Sequence, residues 1–114
     1  MQGVTGAMDD AVVACVVTYQ PDLQLLAENL TATTSQVGQV YIFDNGSQNA
    51  RDIATLCANY TNVGLYAHPS NVGIATALNW LTWRAVEDGA TWMLTLDQDS
   101  VSPPDMVAKL LSSA

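Results

Sequence analysis

Positively charged residues are scarce in this sequence. Arg51, Arg84 and Lys109 are its only cations, against eleven aspartates and glutamates, so its 114 residues carry a formal net charge of −8. Proteins that bind DNA or RNA neutralise several phosphates with lysine and arginine side chains. We therefore exclude nucleic acid as a partner of this chain.

Histidine and cysteine are almost as rare. His68 is the only histidine and falls in a predicted loop, so the pairing of serine with a histidine base that a Ser-His-Asp hydrolase needs is excluded. Cys15 and Cys57 fall inside predicted elements without the spacing of a metal site, and we interpret them as reduced core thiols rather than a disulfide. No P-loop or dinucleotide-binding glycine motif follows the first predicted strand.

Long hydrophobic runs are also missing. The apolar segments have the length of strands, and Asp9 and Asp10 precede the first of them, so the sequence predicts neither a membrane span nor a signal peptide. Hydrophobic residues nevertheless make up 49% of the chain, enough for a packed core. We predict an N-terminal tail over residues 1–10, one domain over 11–114 and a cytoplasmic location.

The apolar pattern alternates between two kinds of segment. Residues 11–18 form a continuous β-branched run typical of a strand buried on both faces. Together, the patterns predict strands at about 11–18, 40–43, 63–67 and 92–96 and helices at about 23–33, 49–60, 72–88 and 105–111. This order predicts an α/β fold, a Rossmann-like βαβαβαβα parallel sheet with helices on both faces.

The third predicted helix has two distinct sides. One side is an apolar stripe that contains Ile74, Ala77, Leu78, Leu81 and Ala85. This stripe is the side predicted to pack on the sheet. Trp80 and Trp83 lie on roughly the opposite side. Two interpretations of these tryptophans stay open: their face is left exposed, or both pack under neighbouring helices.

Polar side chains follow several of the predicted strands. Ligands of parallel α/β sheets bind beyond the carboxyl ends of the strands, and Thr18, Tyr19, Asp44, Asp97 and Asp99 all fall there. Asp97 and Asp99 are one residue apart after an apolar strand, which favours a divalent cation, although a helix-capping turn is the alternative.

Two further segments have both a structural and a functional interpretation. Asp44 precedes Asn45-Gly46-Ser47 and could be a ligand or an Asx-turn residue. Asn71 and Gly73 could simply begin the third helix, or this helix N-terminus could favour an anion or the polar edge of a base.

Four motifs in order point to a family. V-V-T-Y-Q-P-D (16–22), V-Y-I-F-D-N-G-S-Q-N (40–49), N-V-G-I-A-T-A-L-N (71–79) and L-T-L-D-Q-D-S (94–100) together resemble the family 2 inverting glycosyltransferases with the GT-A fold. The last two motifs look most like the bacterial rhamnosyltransferase subgroup. The resemblance covers about residues 11–111 and implies the N-terminal, nucleotide-binding half of that fold.

The resemblance implies roles for individual residues. Thr18 and Tyr19 would line a nucleotide pocket, and Asp44 would face the nucleobase. Asn71 and Gly73 would border the base and the ribose.

The same resemblance implies a metal site. Asp97 would lie near the ribose and the donor sugar. Asp99, with Asp97, would hold Mg²⁺ or Mn²⁺ against the diphosphate, where the cation acts as a Lewis acid for the departing nucleotide.

The implied reaction is transfer of a sugar from a dTDP- or UDP-linked donor, with L-rhamnose as the subgroup's sugar, to a saccharide or lipid-linked acceptor. Two departures from the family pattern matter. Leu78 stands where many members have arginine, and the family's catalytic base and acceptor-binding half come later than residue 114. We therefore expect a truncated domain that binds donor nucleotide without turnover, and that meets the inner face of the membrane through its missing part.

Two rival functions and one consequence of truncation stay open. The same fold could serve as a non-catalytic nucleotide-binding or interaction module. A sugar-nucleotide pyrophosphorylase-like domain is less favoured, because such domains carry a basic glycine-rich loop where this chain has Tyr19-Gln20-Pro21-Asp22. An uncovered sheet edge in a truncated domain favours self-association.

Overall fold

The computed structural model describes residues 9–113. Strands and helices alternate strictly along the chain, in the order β1 (Asp9–Thr18), α1 (Leu23–Thr34), β2 (Val37–Asn45), α2 (Ala50–Cys57), β3 (Val63–His68), α3 (Ile74–Glu87), β4 (Trp92–Leu96) and α4 (Met106–Ser113). The predicted α/β order is therefore confirmed. Of the predicted N-terminal tail, residues 1–8 lie outside the described residues, and residues 9 and 10 begin β1.

All four strands are parallel and form one sheet in the order β3-β2-β1-β4. β1 is central, and its continuous apolar run is explained by burial on both faces: Val12 through Val16 are at most 4% exposed. β2 and β3 lie on one side of β1, whereas β4 lies on its other side, so the strand order switches sides between β1 and β4. In open α/β sheets, ligands bind at such a switch point.

Helices cover both faces of the sheet, as predicted, but unequally. On one face α1, α2 and α4 bury Leu26, Leu30, Ile53 and Val107 against the alternate side chains of β1 and β2. On the other face α3 is the one helix among residues 9–113, and it packs through Ala77, Leu81 and Ala85. Small side chains at two of these three positions let α3 approach the strands closely.

Some predicted boundaries were wrong. β2 begins at Val37 and ends at Asn45, because Val37 is buried in the core and the polar residues Asp44 and Asn45 continue the ladder in register with Ala67 and His68 of β3. The predicted second helix was too long, since α2 ends at Cys57 and a turn follows.

The apolar stripe predicted for α3 is only partly confirmed. Ala77, Leu81 and Ala85 are buried, but Ile74 is 60% exposed. The two tryptophans differ as well: the Trp80 ring lies parallel to the ring of Tyr66 with centroids 4.7 Å apart, whereas Trp83 is 54% exposed. The alternative in which both tryptophans pack under neighbouring helices is therefore wrong, because Trp80 packs on a strand side chain and Trp83 is exposed.

Because the sheet is parallel, its two ends have different surroundings. The loops that follow the strands meet at the carboxyl end. The connections that enter β2, β3 and β4, at residues 35–36, 58–62 and 88–91, lie at the opposite end. Among residues 9–113, no helix combines the length and the apolar character needed to cross a membrane.

Candidate functional site

A cavity of about 410 Å³ opens at the carboxyl end of the sheet, between β1, β4 and the start of α3. Its walls are apolar at Val17, Leu78 and Leu96 and polar at its rim. Among residues 9–113, its lining consists of Cys15, Val17, Ile74, Leu78, Thr95, Leu96, Asp97, Gln98 and Asp99. The D-Q-D segment of the sequence therefore forms part of the cavity wall directly.

The D-Q-D segment is a turn that leaves β4. The main-chain oxygen of Asp97 accepts a hydrogen bond from the Ser100 N–H at 3.2 Å, which closes the turn. The side chains of Asp97 and Asp99 are exposed and have no hydrogen-bond or ion-pair partner among residues 9–113. Both carboxylates are therefore available to a ligand.

Gln98, between these carboxylates, connects the turn to the loop after β1. Its Oε1 accepts from the Tyr19 N–H at 2.9 Å, and its Nε2 donates to the Tyr19 carbonyl oxygen at 3.3 Å. One amide side chain thus satisfies both main-chain polar groups of Tyr19 and leaves the phenol ring, which is half exposed, at the surface. Gln98 belongs to the D-Q-D-S motif, but its sequence position alone predicted no role for its side chain.

Asp44 is enclosed rather than open to the cavity. It is fully buried, and its carboxyl group accepts from Thr18 Oγ1 at 2.7 Å, Ser47 Oγ at 2.6 Å and the Ser47 N–H at 2.9 Å. Thr18 is likewise fully buried. The structure thus brings Thr18 and Asp44 together, but it does not bring either of them to the wall of the cavity.

Ser47 extends this group of hydrogen bonds to the loop after β1. Its Oγ accepts from the Gln20 N–H at 2.8 Å, and the Gln48 N–H donates to Gln20 Oε1 at 2.6 Å. Through Tyr19 and Gln98, the loops after β1, β2 and β4 form one connected network. The D-N-G-S turn signal was visible in the sequence, but its contact with residue 20 was not.

Asn71 and Gly73 lie in the loop that leads into α3. Asn71 Oδ1 accepts from the Gly73 N–H at 2.8 Å, and Asn45 holds the same loop by accepting from the Val72 N–H and donating to the Gly73 carbonyl oxygen. Gly73 has a φ of +88°, a conformation that favours glycine. Both residues are exposed next to Ile74, which lines the cavity.

The β2–α2 turn and the β3–α3 loop approach each other closely at Gly46. A Cβ at this position would lie 2.7 Å from the carbonyl carbon of Ser70, and the φ of Gly46 is +80°. Two independent reasons therefore require glycine at this position: the positive φ of its backbone and the lack of space for a Cβ. This close approach holds the loop that precedes Asn71 against the turn that follows β2.

The electrostatic character of the site is acidic. No lysine or arginine lines the cavity; Arg84 pairs with Asp88 and Lys109 pairs with Asp105, both elsewhere on the surface. Cys15 is 1% exposed, and burial raises the pKa of its thiol to about 11. It is therefore neutral near pH 7 and unsuited to be a nucleophile or metal ligand.

Asp97 and Asp99 are the oxygen donors at the cavity that could hold a divalent cation. Among residues 9–113 there is no cluster of three or more His, Cys, Asp or Glu side chains that could hold a metal alone. Two free carboxylates nevertheless suit Mg²⁺ or Mn²⁺, because such ions are commonly bound by one or two carboxylates and completed by substrate phosphates and water. Asp97 and Asp99 therefore fit a cation that arrives with a phosphorylated ligand.

Comparison with known proteins gives one family. The model of the family described as "Glycosyl transferase family 2" matches residues 13–114, which include all four strands from the middle of β1 onward and the whole lining of the cavity. No curated protein matches the chain.

Proposed function

This chain belongs to glycosyl transferase family 2, and on that premise we propose that it binds a nucleoside-diphosphate sugar at the carboxyl end of its sheet, for transfer of the sugar to a saccharide or lipid-linked acceptor. The observation that supports this proposal is the cavity at the β1–β4 switch point. Its rim contains two exposed carboxylates without partners, and its apolar walls can accept a sugar or nucleoside ring.

A divalent cation has a clear part in this proposal. Members of the family typically use one. A diphosphate close to Asp97 and Asp99 would otherwise meet a repulsion of roughly 1–3 kcal/mol per charge pair at the dielectric of a protein surface. In the proposed complex Asp99, with Asp97, holds Mg²⁺ or Mn²⁺, and the cation supplies Lewis-acid stabilisation of the departing diphosphate.

We place the nucleoside over the loops after β1 and β3. Tyr19 offers a half-exposed ring, and Asn71 and Gly73 border the cavity next to Ile74. Thr18 and Asp44 support this surface from beneath. A direct contact between Asp44 and a pyrimidine N–H would require Thr18 and Ser47 to release its carboxyl oxygens, since Asp44 is fully buried.

The finer identity of the donor rests on the sequence motifs. The D-Q-D-S and N-V-G-I-A segments resemble the rhamnosyltransferase subgroup, which favours L-rhamnose as the sugar of a dTDP- or UDP-linked donor and implies an inverting displacement. That displacement needs a base for the acceptor hydroxyl. Apart from the neutral Cys15, the ionisable groups that line the cavity in the described part of the chain are Asp97 and Asp99, and the proposal assigns both to the metal.

The alternative function is a non-catalytic module of the same fold, which binds the nucleotide without turning it over. The two functions differ in one assay. Incubation of the chain with dTDP-rhamnose or UDP-glucose, Mn²⁺ and candidate acceptors gives released nucleotide if the chain is catalytic by itself, and no release if it only binds.

The proposal is tested by thermal unfolding and NMR titration with dTDP and UDP, each with and without Mn²⁺. Ligand at about 100 times its dissociation constant stabilises the fold by roughly 2.7 kcal/mol. We expect stabilisation that requires the metal and is lost in Asp99→Ala. Asp105→Ala is the matched control, since Asp105 is also an exposed aspartate but lies outside the cavity. Equal binding by wild type and Asp99→Ala would refute the metal assignment, and no binding under any condition would refute the proposed function.

A further inference from the structure

A buried amide side chain reaches the D-Q-D turn from the opposite face of the sheet. Asn29 lies in the middle of α1 and is fully buried. Its Nδ2 donates to the main-chain oxygen of Asp97 at 2.8 Å, across 68 residues of sequence. Its Oδ1 accepts from Thr33 Oγ1, one helical turn further on, at 3.3 Å.

This asparagine is costly to keep where it is. It lies on the buried side of α1 between Leu26 and Leu30, where an apolar side chain would favour both the core and the helix. A buried amide is tolerated only when its polar atoms are satisfied. Asn29 meets that condition by bonding the one main-chain oxygen from which the metal-binding turn starts.

The Asp97 carbonyl oxygen therefore accepts two hydrogen bonds, whose donors belong to different parts of the structure. The Ser100 N–H bonds it from within the turn, and Asn29 bonds it from α1. Together they fix the orientation of the peptide plane between residues 97 and 98. The directions of the Asp97 and Asp99 side chains depend on that plane, because both residues flank the same short turn.

We propose that Asn29 is a positioning residue, which orients the two carboxylates of the D-Q-D turn for a divalent cation without touching the cation itself. This inference rests on the proposed metal–nucleotide function. It adds a residue of α1 that lies outside the cavity lining and outside the four family-like motifs.

Gln36 provides a matched control for a purely structural role. It is another buried amide of the same region, 7% exposed, and it bonds the oxygens of Ala32 and Pro103 and the Val107 N–H at 2.8–3.0 Å. Those bonds hold the start of α4. Its loss therefore destabilises the fold without loosening the turn at Asp97.

The experiment compares Asn29→Leu with Gln36→Leu in the complete chain. The probes are Mn²⁺-dependent binding of UDP and dTDP, and hydrogen exchange and ¹⁵N relaxation of the amides of residues 98–100. We expect Asn29→Leu to weaken metal-dependent nucleotide binding about tenfold and to speed exchange in the turn. Gln36→Leu should lower the unfolding midpoint with neither effect on the turn.

Thr33→Val is a milder second variant, because it keeps Asn29 and removes only the hydroxyl that orients its amide. It should weaken binding two- to threefold and keeps the test available if Asn29→Leu does not fold. Unchanged binding and unchanged exchange of residues 98–100 in these variants would overturn the inference. If wild type itself binds no metal–nucleotide, the proposed function fails, and the exchange measurement alone decides whether Asn29 orders the turn.

Discussion

Thr18 and Asp44 are direct partners across β1 and β2, and the Thr18 hydroxyl donates to the Asp44 carboxyl over 2.7 Å. Both side chains are fully buried at the carboxyl end of the two central strands. Ser47 completes the arrangement with its hydroxyl and main-chain N–H. Asp44 therefore organises the strand ends and the turn that follows β2.

We expect Asp44→Asn to destabilise the fold by about 1–3 kcal/mol, because an amide in place of one oxygen leaves a buried Ser47 or Thr18 donor without an acceptor. Urea unfolding followed by tryptophan fluorescence measures this loss. Asp52→Asn, an exposed carboxylate in α2, is the control and should change stability by less than about 0.5 kcal/mol. Equal effects of the two substitutions would contradict the role assigned to Asp44.

Leu78 lines the cavity together with both carboxylates, at a position where the family often has arginine. Leu78→Arg should tighten binding of UDP or dTDP without metal by roughly five- to tenfold, because a cation beside the diphosphate offsets part of the repulsion from Asp97 and Asp99. With Mn²⁺ present the gain should be smaller.

Thr82→Arg is the control for the substitution at Leu78. It adds the same charge one turn further along α3, at an exposed position outside the cavity lining. Calorimetric titration of both variants distinguishes a local contact from a change in overall charge. A similar gain in both would mean that the cavity is not where the diphosphate binds.

Trp80 and Trp83 should contribute very differently to stability. Trp80 stacks on Tyr66 and meets the Phe43 ring edge-on at 5.8 Å, so Trp80→Ala should cost roughly 2–4 kcal/mol. Trp83 is mostly exposed, so Trp83→Ala should cost less than about 1 kcal/mol. Chemical denaturation of both variants, followed by circular dichroism, tests the difference, and a larger loss at Trp83 would contradict it.

Stability should fall in alkaline solution through Cys15. Burial raises the pKa of its thiol from 9.0 to about 11 in the folded state, so above pH 9 the unfolded chain ionises first and is favoured. The contribution of the neutral Cys15 thiol to the free energy of unfolding is fully present below pH 9. As the pH rises to about 11, about 2–3 kcal/mol of this contribution is lost.

Comparison with Cys15→Ala isolates this effect from the other groups that titrate in the same range. The unfolding free energy of wild type should decrease relative to that of the variant between pH 9 and 11. Parallel curves for the two proteins would show that the thiol ionises equally in the folded and unfolded states.

Much of the fold follows from the sequence for simple reasons. The uninterrupted β-branched run of β1 predicts a strand buried on both faces, and a parallel sheet buries its central strand in that way. The carboxyl end of β2 was missed because Asp44 and Asn45 are polar. Their place in the ladder depends on partners 26 and 27 residues away, Thr18 and Val72, which local patterns do not contain.

The site was predictable in part. The location of Asp97 and Asp99 at the carboxyl end of the sheet was predicted from their place after an apolar strand, and their binding of a metal stays a prediction. The burial of Asp44 and the exposure of Ile74 both depend on how the loops pack. From the sequence, the role of Asp44 therefore stayed undecided, and Ile74 was wrongly predicted to belong to the apolar stripe. Asn29 left one trace, a polar residue on an otherwise apolar side of α1 beside Leu26 and Leu30. Its partner lies 68 residues away.

The end of the sheet that lies away from the cavity can be labelled selectively through an introduced cysteine. Cys15 and Cys57 are buried and burial raises the pKa of each thiol to about 11, so both resist alkylation near neutral pH. Thr61 is exposed in the connection that enters β3, at the end of the sheet away from the cavity. A single cysteine introduced as Thr61→Cys would therefore be the thiol that accepts a fluorophore or a surface linker, and the chain could be immobilised with its cavity facing the solution.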